Sequence, residues 1–101
     1  MTYPTAIVLQ AIAQGVRHGF EIIDGSGLRA GTVYPILRRL EAAKLVTSSW
    51  EAVVRARAEG RPARRNYRIT AAGRRVLDAA LERFPGVARV WEGDGDGVVA
   101  E

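Results

Sequence analysis

The stretch from Leu28 to Val46, LRAGTVYPILRRLEAAKLV, constrains the fold more than any other part of the chain. Apolar residues recur there at the i, i+3, i+4 and i+7 spacing of a helix that buries one face: Val33, Ile36, Leu37 and Leu40. The opposite face carries Thr32, Tyr34, Arg38, Arg39, Glu41 and Lys44. Hydroxyl, tyrosine and arginine side chains reach phosphates and base edges in a DNA major groove. Taken alone, the stretch is equally compatible with a solvated face of an ordinary core helix.

The length of 101 residues and the 48% share of hydrophobic residues predict one globular domain with one core. The charge is distributed unevenly. Residues 1–84 carry 14 Lys and Arg against 7 Asp and Glu, a net charge of +7, whereas residues 85–101 carry 1 against 4, a net charge of −3. A basic body indicates a nucleic acid or an anionic membrane surface as partner, although charge alone also fits a solvated surface.

Several classes of protein are excluded or disfavoured by the sequence. The chain has no cysteine, so disulfides and thiolate chemistry are excluded. No apolar run approaches the roughly 18 residues that span a bilayer, and no signal peptide precedes the first predicted helix. We therefore predict a cytoplasmic protein without a membrane partner. No nucleophile motif, phosphate loop or metal-ligand spacing is present, so we expect no enzyme, no catalytic residue, no metal and no cofactor.

The predicted fold is mainly α with a small antiparallel β-hairpin, in the order helix, helix, helix, hairpin wing, helix. The predicted elements are helices at Pro4–Gln14, His18–Asp24, Ala30–Ala43 and Ala71–Phe84, and strands at Leu45–Trp50 and Arg64–Thr70. A Gly-Ser-Gly turn at residues 25–27 separates the second helix from the basic third helix, which is the order of a helix-turn-helix unit. We predict a winged helix-turn-helix domain over residues 1–84 and a flexible acidic tail over residues 85–101.

The two ends of the third helix carry unusual residues. A start near Ala30 or Gly31 places Pro35 at the edge of the first turn, where most of the cost of a helical proline disappears. Neither Arg29 nor Ala30 is a good N-cap, so we expect a start without a side-chain cap. At the other end, Lys44 must adopt a left-handed conformation or extend the helix.

The predicted hairpin is rich in arginine: Arg55, Arg57, Arg61, Arg64 and Arg65. Like charges on a strand pair repel each other, so stability does not explain them. We interpret them as a clamp on an anionic partner, and the alternative is a charged edge that blocks strand aggregation. His18 is interpreted as a helix-start residue near a DNA backbone, and Arg38 and Arg39 as base or phosphate contacts.

The last predicted helix, residues 71–84, carries an apolar stripe at Leu77, Ala80, Leu81 and Phe84. The stripe either completes the core or binds the same helix of a second subunit, and we favour dimerisation because a domain this small has a limited core. Val87 and Trp91 either fold back onto this helix or line a pocket at the dimer interface.

Several segments together resemble the PadR family of bacterial winged-helix transcriptional regulators. They are HGFEI at residues 18–22, GTVYPILRRLE at residues 31–41, LVTSSWE at residues 45–51, GRPARRNYRIT at residues 60–70 and AGRRVL at residues 72–77. They follow the family's order. The chain departs from the family pattern at Arg29 to Gly31, where a serine and a proline are usual, and at Lys44, where glycine is usual.

The resemblance implies a homodimeric repressor whose third helix enters the major groove of an operator and whose wing touches the backbone or the minor groove. It implies DNA contacts at Thr32, Tyr34, Pro35, Arg38, Arg61, Arg64 and Arg65. It implies a dimer built from the first and last helices, which on this chain would use Ile7, Ala11, Leu77, Leu81 and Phe84. Any small-molecule effector would bind near that interface.

One alternative function remains at this point. A winged fold can bind another protein instead of DNA, with the acidic tail as the contact, because fold does not determine function.

Overall fold

A computed structural model describes residues 1–90, in which five helices and a further short helical stretch at residues 86–90 accompany one two-stranded antiparallel sheet. In chain order the elements are α1 (Tyr3–Ala13), α2 (Gly19–Ser26), α3 (Ala30–Ala42), β1 (Val46–Trp50), α4 (Val53–Ala58), β2 (Arg65–Ile69) and α5 (Ala71–Arg83). The predicted class, mainly helical with a small antiparallel hairpin after a helix-turn-helix unit, is confirmed. None of the helices within residues 1–90 is long and apolar enough to cross a membrane.

Helix α1 is the centre of the core. Thr2 caps its start by accepting a hydrogen bond from the backbone N–H of Thr5, and Pro4 lies in the first turn, where no intrahelical donor is lost. Every residue from Ala6 to Ile12 is buried, on all sides of the helix. Helices α2, α3 and α5 and strand β2 all pack against α1. The remaining elements are therefore arranged around this first helix.

The hairpin pairs Val46 with Ile69 at its base and Trp50 with Arg65 at its tip. Because side chains alternate across a strand, both end pairs and the middle pair, Ser48 with Tyr67, point to the same face. Val46 and Tyr67 are buried on that face, so the base of the hairpin packs on the core. The pair at the tip lies on the same face of the hairpin but outside the core.

We expected the two strands of the hairpin to be joined without a helix, but the connection contains the short helix α4. Alanine and arginine are good helix formers, and Ala56 is buried whereas Val53 and Val54 are exposed. A single buried residue in a six-residue helix leaves no periodic apolar pattern in the sequence. The sequence therefore predicted no helix at residues 53–58, between the two predicted strands.

Helix α5 is attached closely to the base of the hairpin. Threonine is a favoured N-cap residue, and the hydroxyl of Thr70 accepts a hydrogen bond from the N–H of Gly73 at 3.0 Å. The N–H of Thr70 itself donates to the carbonyl oxygen of Leu45 at 3.0 Å. A Cβ atom added to Gly73 would lie 2.1 Å from that same carbonyl oxygen. Only glycine lets the helix approach the strand this closely.

The ordered chain continues past residue 84, where the sequence placed the start of a flexible tail. Residues 86–90 are helical, and Val87 is fully buried against the core. Of the two alternatives for Val87, packing back onto the fold is therefore the one observed. Trp91 and the rest of the predicted tail lie outside the described residues.

Three of the five residues expected at a dimer interface lie inside the core of the single chain. Ile7, Ala11 and Leu77 are 5%, 0% and 4% exposed, so they pack within their own protomer. Leu81 and Phe84 are half-buried, and the Phe84 ring meets Tyr3 edge to face with centroids 5.7 Å apart. An apolar stripe shows that a helix packs on something, but it does not distinguish the chain's own core from a partner.

Candidate nucleic-acid interface

Helix α3 divides into a core face and an exposed face as its sequence predicts. Val33, Ile36, Leu37 and Leu40 are buried. Thr32, Tyr34, Arg38 and Arg39 are all exposed on the other side, and Pro35 is half-buried between the two faces. Four apolar anchors hold the helix in place, while its polar face is free to meet another molecule.

The start of α3 is uncapped, as expected: Arg29 occupies the N-cap position and its side chain makes no capping hydrogen bond. Pro35 is the sixth residue of the helix and so lies in its second turn, not at the edge of the first. The carbonyl of Gly31 therefore loses its usual N–H partner four residues later, because proline has no N–H. The prediction that Pro35 lies at the edge of the first turn is therefore wrong.

The end of α3 shows how Lys44 replaces a glycine. Its φ angle is 62°, so it adopts the left-handed conformation instead of extending the helix. The N–H of Lys44 donates to the carbonyl of Glu41, and the N–H of Leu45 donates to the carbonyl of Leu40, both at 3.0 Å. These are the two bonds of a Schellman motif. The turn into β1 is thereby fixed despite the unfavourable backbone angle.

A groove of about 380 Å³ lies between α3 and the tip of the hairpin, and residues at the start of α2 also line it. The lining residues are His18, Gly19, Phe20, Tyr34, Arg38, Trp50, Ala63, Arg64, Arg65 and Tyr67. Three of them are arginines and none is acidic. The groove thus brings together five of the predicted contact residues: His18, Tyr34, Arg38, Arg64 and Arg65. Thr32, Pro35, Arg39 and Arg61 do not line it.

Close contacts fix the walls of this groove. A Cβ atom added to Gly19 would lie 2.6 Å from Cε1 of Tyr34, so the absence of a side chain at residue 19 lets α2 and α3 meet there. His18 Nδ1 lies 3.2 Å from the carbonyl oxygen of Arg65, which ties the start of α2 to the hairpin. His18 is half-buried, and its contact joins α2 to the hairpin.

Arg61 differs from the other predicted contact residues because carboxylates of the chain already neutralise it. Its Nη2 donates to Glu51 at 2.7 Å, and its Nε donates to Glu59 at 3.0 Å. Glu51 also accepts from the backbone N–H of Arg64 at 3.1 Å. The hydrogen bond from Arg61 is the main reason that the pKa of Glu51 falls from 4.5 to about 2. This placement gives Arg61 a structural role and does not support the predicted DNA contact.

Sequence reasoning missed two aromatic residues at the groove. The apolar pattern of the second helix predicts that Phe20 faces the core, yet it is 67% exposed, and Trp50 is 63% exposed at the end of β1. The guanidinium of Arg65 lies over the Trp50 ring, 5.1 Å from its centroid. Alternation along the strand could have indicated that Trp50 shares a face with Val46, but not that the core ends before it.

Three helices followed by a hairpin, with a basic exposed face on the third helix, define a winged helix-turn-helix protein. The sequence of residues 8–79 matches the Transcriptional regulator PadR-like family. Since this match covers most of the chain, the protein belongs to that family, and the resemblance noted from its motifs is confirmed. It is a transcriptional regulator and not an enzyme.

Solved structures of similar fold include a PadR family transcription regulator from Clostridium difficile, with a TM-score of 0.70 at 20% identity over 91% of this chain and 97% of that one. A transcriptional regulator from Clostridium thermocellum has a TM-score of 0.68 at 21% identity over 90% and 88% of the two chains. A PadR family transcriptional regulator from Eggerthella lenta has a TM-score of 0.59 at 27% identity over 93% and 80%. No curated protein sequence matches the chain.

Proposed function

We propose that this regulator is a repressor that binds a double-stranded DNA operator as a homodimer, with α3 in the major groove. The observation that carries the proposal is the groove beside the exposed face of α3, which among residues 1–90 is lined by three arginines and no acidic residue. A surface of this composition attracts phosphates, and the exposed residues of α3 are types that contact base edges. Thr32, Tyr34, Arg38 and Arg39 are the residues we assign to the major groove.

The hairpin supplies the backbone contacts in this proposal. Arg65 is exposed and Arg64 is half-buried at the groove, so both can approach phosphates. Arg61 is paired with Glu51 and Glu59, and we assign it to the support of the hairpin. His18 contributes by joining the hairpin to α2.

The proposed dimer interface is the exposed apolar surface formed by the N-terminal residues and the last part of α5. Met1 and Tyr3 are 40% and 45% exposed, and a depression of about 260 Å³ lies between Met1, Ala79 and Phe84. Ala79 is exposed on α5. A second copy of the chain packed on this surface would cover apolar area and present two copies of α3 to two half-sites. An effector, if the protein has one, would then bind near this surface.

Footprinting of the purified protein across the genome of its source tests the DNA-binding part of the proposal. We expect discrete sites made of two related half-sites, and a reporter gene placed behind such a site should be silenced by the protein. Affinity for the recovered site should fall steeply with salt, by about 0.9 in log K per neutralised phosphate for each unit of log salt concentration. Absence of any footprint and of gel retardation at micromolar protein would favour the alternative of a protein-binding module.

A further inference from the structure

Two large apolar side chains remain exposed around the interface groove. Phe20 lies at the start of α2 and Trp50 at the end of β1, and each has more than three-fifths of its surface exposed. Tyr34, 41% exposed, lies in the same groove. Large apolar side chains clustered at an exposed surface mark a place that another molecule covers. The DNA contacts assigned above use the arginines of this groove and leave Phe20 and Trp50 unexplained.

The position of Trp50 is fixed by the hairpin. Trp50 is paired with Arg65 across the strands, and the two side chains stack with the guanidinium 5.1 Å from the ring centroid. The backbone carbonyl of Arg65 lies 3.2 Å from His18 Nδ1. The ring therefore lies in the groove and also supports the guanidinium of Arg65.

The groove combines charged groups with flat apolar surfaces. Arg38 comes from α3, and Arg64 and Arg65 come from the hairpin. The Nε of Arg64 is buried and has no hydrogen-bond partner among residues 1–90, so this one donor is not satisfied there. A ligand suited to this lining carries negative charges separated by less polar, ring-shaped units. The sugar–phosphate backbone of DNA has this composition.

We propose that this groove holds one sugar–phosphate strand of the operator, with Phe20 and Trp50 packed against deoxyribose rings. This inference rests on the proposed function. The major groove of B-DNA is about 12 Å wide, just enough for one helix, so a backbone strand lies directly beside any helix that occupies it. The groove lies directly beside α3 and is closed on its far side by the hairpin tip. Trp50 and Phe20 are thus binding residues for the sugars, and Arg64 and Arg65 lie beside the phosphates of the same strand, while Arg38 stays directed to the bases.

The apolar and charged contributions differ in their dependence on salt. Neutralising a phosphate releases condensed counterions, whereas covering a deoxyribose ring releases none. Removal of Trp50 or Phe20 should therefore lower affinity without changing the slope of log K against log salt. Removal of the Arg64 charge should lower both the affinity and the magnitude of the slope.

The test uses the full chain and the tightest duplex selected from a random-sequence library, with binding measured between about 50 and 200 mM salt. We expect Trp50→Ala and Phe20→Ala each to weaken binding by about tenfold, because each removes part of one side chain buried against DNA. The slope of log K against log salt should stay unchanged. Arg64→Gln should reduce the slope by about 0.9. Trp50→Phe, which keeps a flat ring, should recover most of the affinity, and Arg75→Gln on the exposed side of α5 is the matched charge control. Thermal denaturation of each variant excludes loss of folding as the cause.

A direct readout comes from the tryptophan itself. The chain has two tryptophans, so Trp91→Phe leaves Trp50 as the single reporter. Bound duplex should shield Trp50 from quenching by acrylamide, and the shielding should be absent with free nucleotides. If Trp50→Ala and Phe20→Ala bind like the wild type while Trp50 stays equally quenchable on DNA, the inference is overturned. Failure of the wild type to bind any duplex would overturn the proposed function instead, so the two failures are distinguishable.

Discussion

At the scale of single residues, Arg38 is the side chain from which we expect the largest contribution to sequence recognition. It is exposed on α3 and lines the groove. If it contacts a guanine with both guanidinium nitrogens, Arg38→Ala should weaken operator binding by about 1–3 kcal/mol and relax the preference at one base pair. Binding to operator variants, measured by fluorescence anisotropy with Arg75→Ala as control, checks this. A smaller loss that is equal for all sequences would make Arg38 a phosphate contact.

Lys44 should limit stability without contributing to recognition. Its left-handed backbone costs about 1 kcal/mol relative to glycine, since its Cβ crowds the following carbonyl. Lys44→Gly should therefore raise the melting temperature by about 4–8 °C for a domain of this size. Lys44→Ala, which removes the same charge and keeps the strained angle, should show no such gain in a calorimetric scan. Equal effects of the two variants would attribute the change to the lysine charge.

Glu51 should make the hairpin sensitive to acid. Its pKa is about 2 in the folded protein and near 4.5 when unpaired, so the unfolded chain binds its proton first as the pH falls. The stabilisation is therefore complete above about pH 4.5 and is lost progressively towards pH 2. We expect the difference in stability between the wild type and Glu51→Gln to shrink over this range in urea titrations. A difference that stays constant with pH would show that the carboxylate charge contributes nothing.

At the scale of elements, the contact between α5 and β1 should tolerate no side chain at residue 73. Gly73→Ala would drive a methyl group into the carbonyl oxygen of Leu45 and force the helix away from the strand. We expect a loss of about 1–3 kcal/mol in the free energy of unfolding. Gly31→Ala is the matched control, because Gly31 is also near a helix start but has nothing within 4 Å of the added Cβ. It should be neutral or stabilising by up to about 1 kcal/mol.

The elements that the sequence predicts correctly are those with a periodic apolar stripe or a clear turn. Helix α3 begins at Ala30 and lacks a side-chain cap, as expected. Helix α4 could not be predicted because it buries only Ala56. The pairing of Arg61 with Glu51 joins residues ten positions apart on the two sides of α4, and no local pattern in the sequence indicates such a contact. The sequence therefore indicated which types of residue form the site, but not which side chains pair with each other.

At the scale of the whole molecule, the proposed dimer can be tested directly by measuring the mass of the protein in solution. Ala79→Glu should place a charge in the apolar surface between Met1 and Phe84 and produce monomers, as judged by light scattering after size exclusion. Ala79 is preferred to Leu81 for this test because Leu81 also packs against the core of its own chain. Ala71→Glu, at the exposed start of α5, should leave the mass unchanged. A dimer that survives Ala79→Glu would require a different interface.

Helix α1 also determines how the protein exchanges its amide hydrogens with solvent. The central turns of α1 are covered on every side by α2, α3, α5 and β2, so solvent has no route to their amides through a local opening of one neighbour. The amides from Val8 to Ile12 should therefore exchange only by unfolding of the whole domain, and they should be the slowest in the protein. Their exchange rates measure the global stability of the regulator directly, even while the hairpin and the helix ends fluctuate.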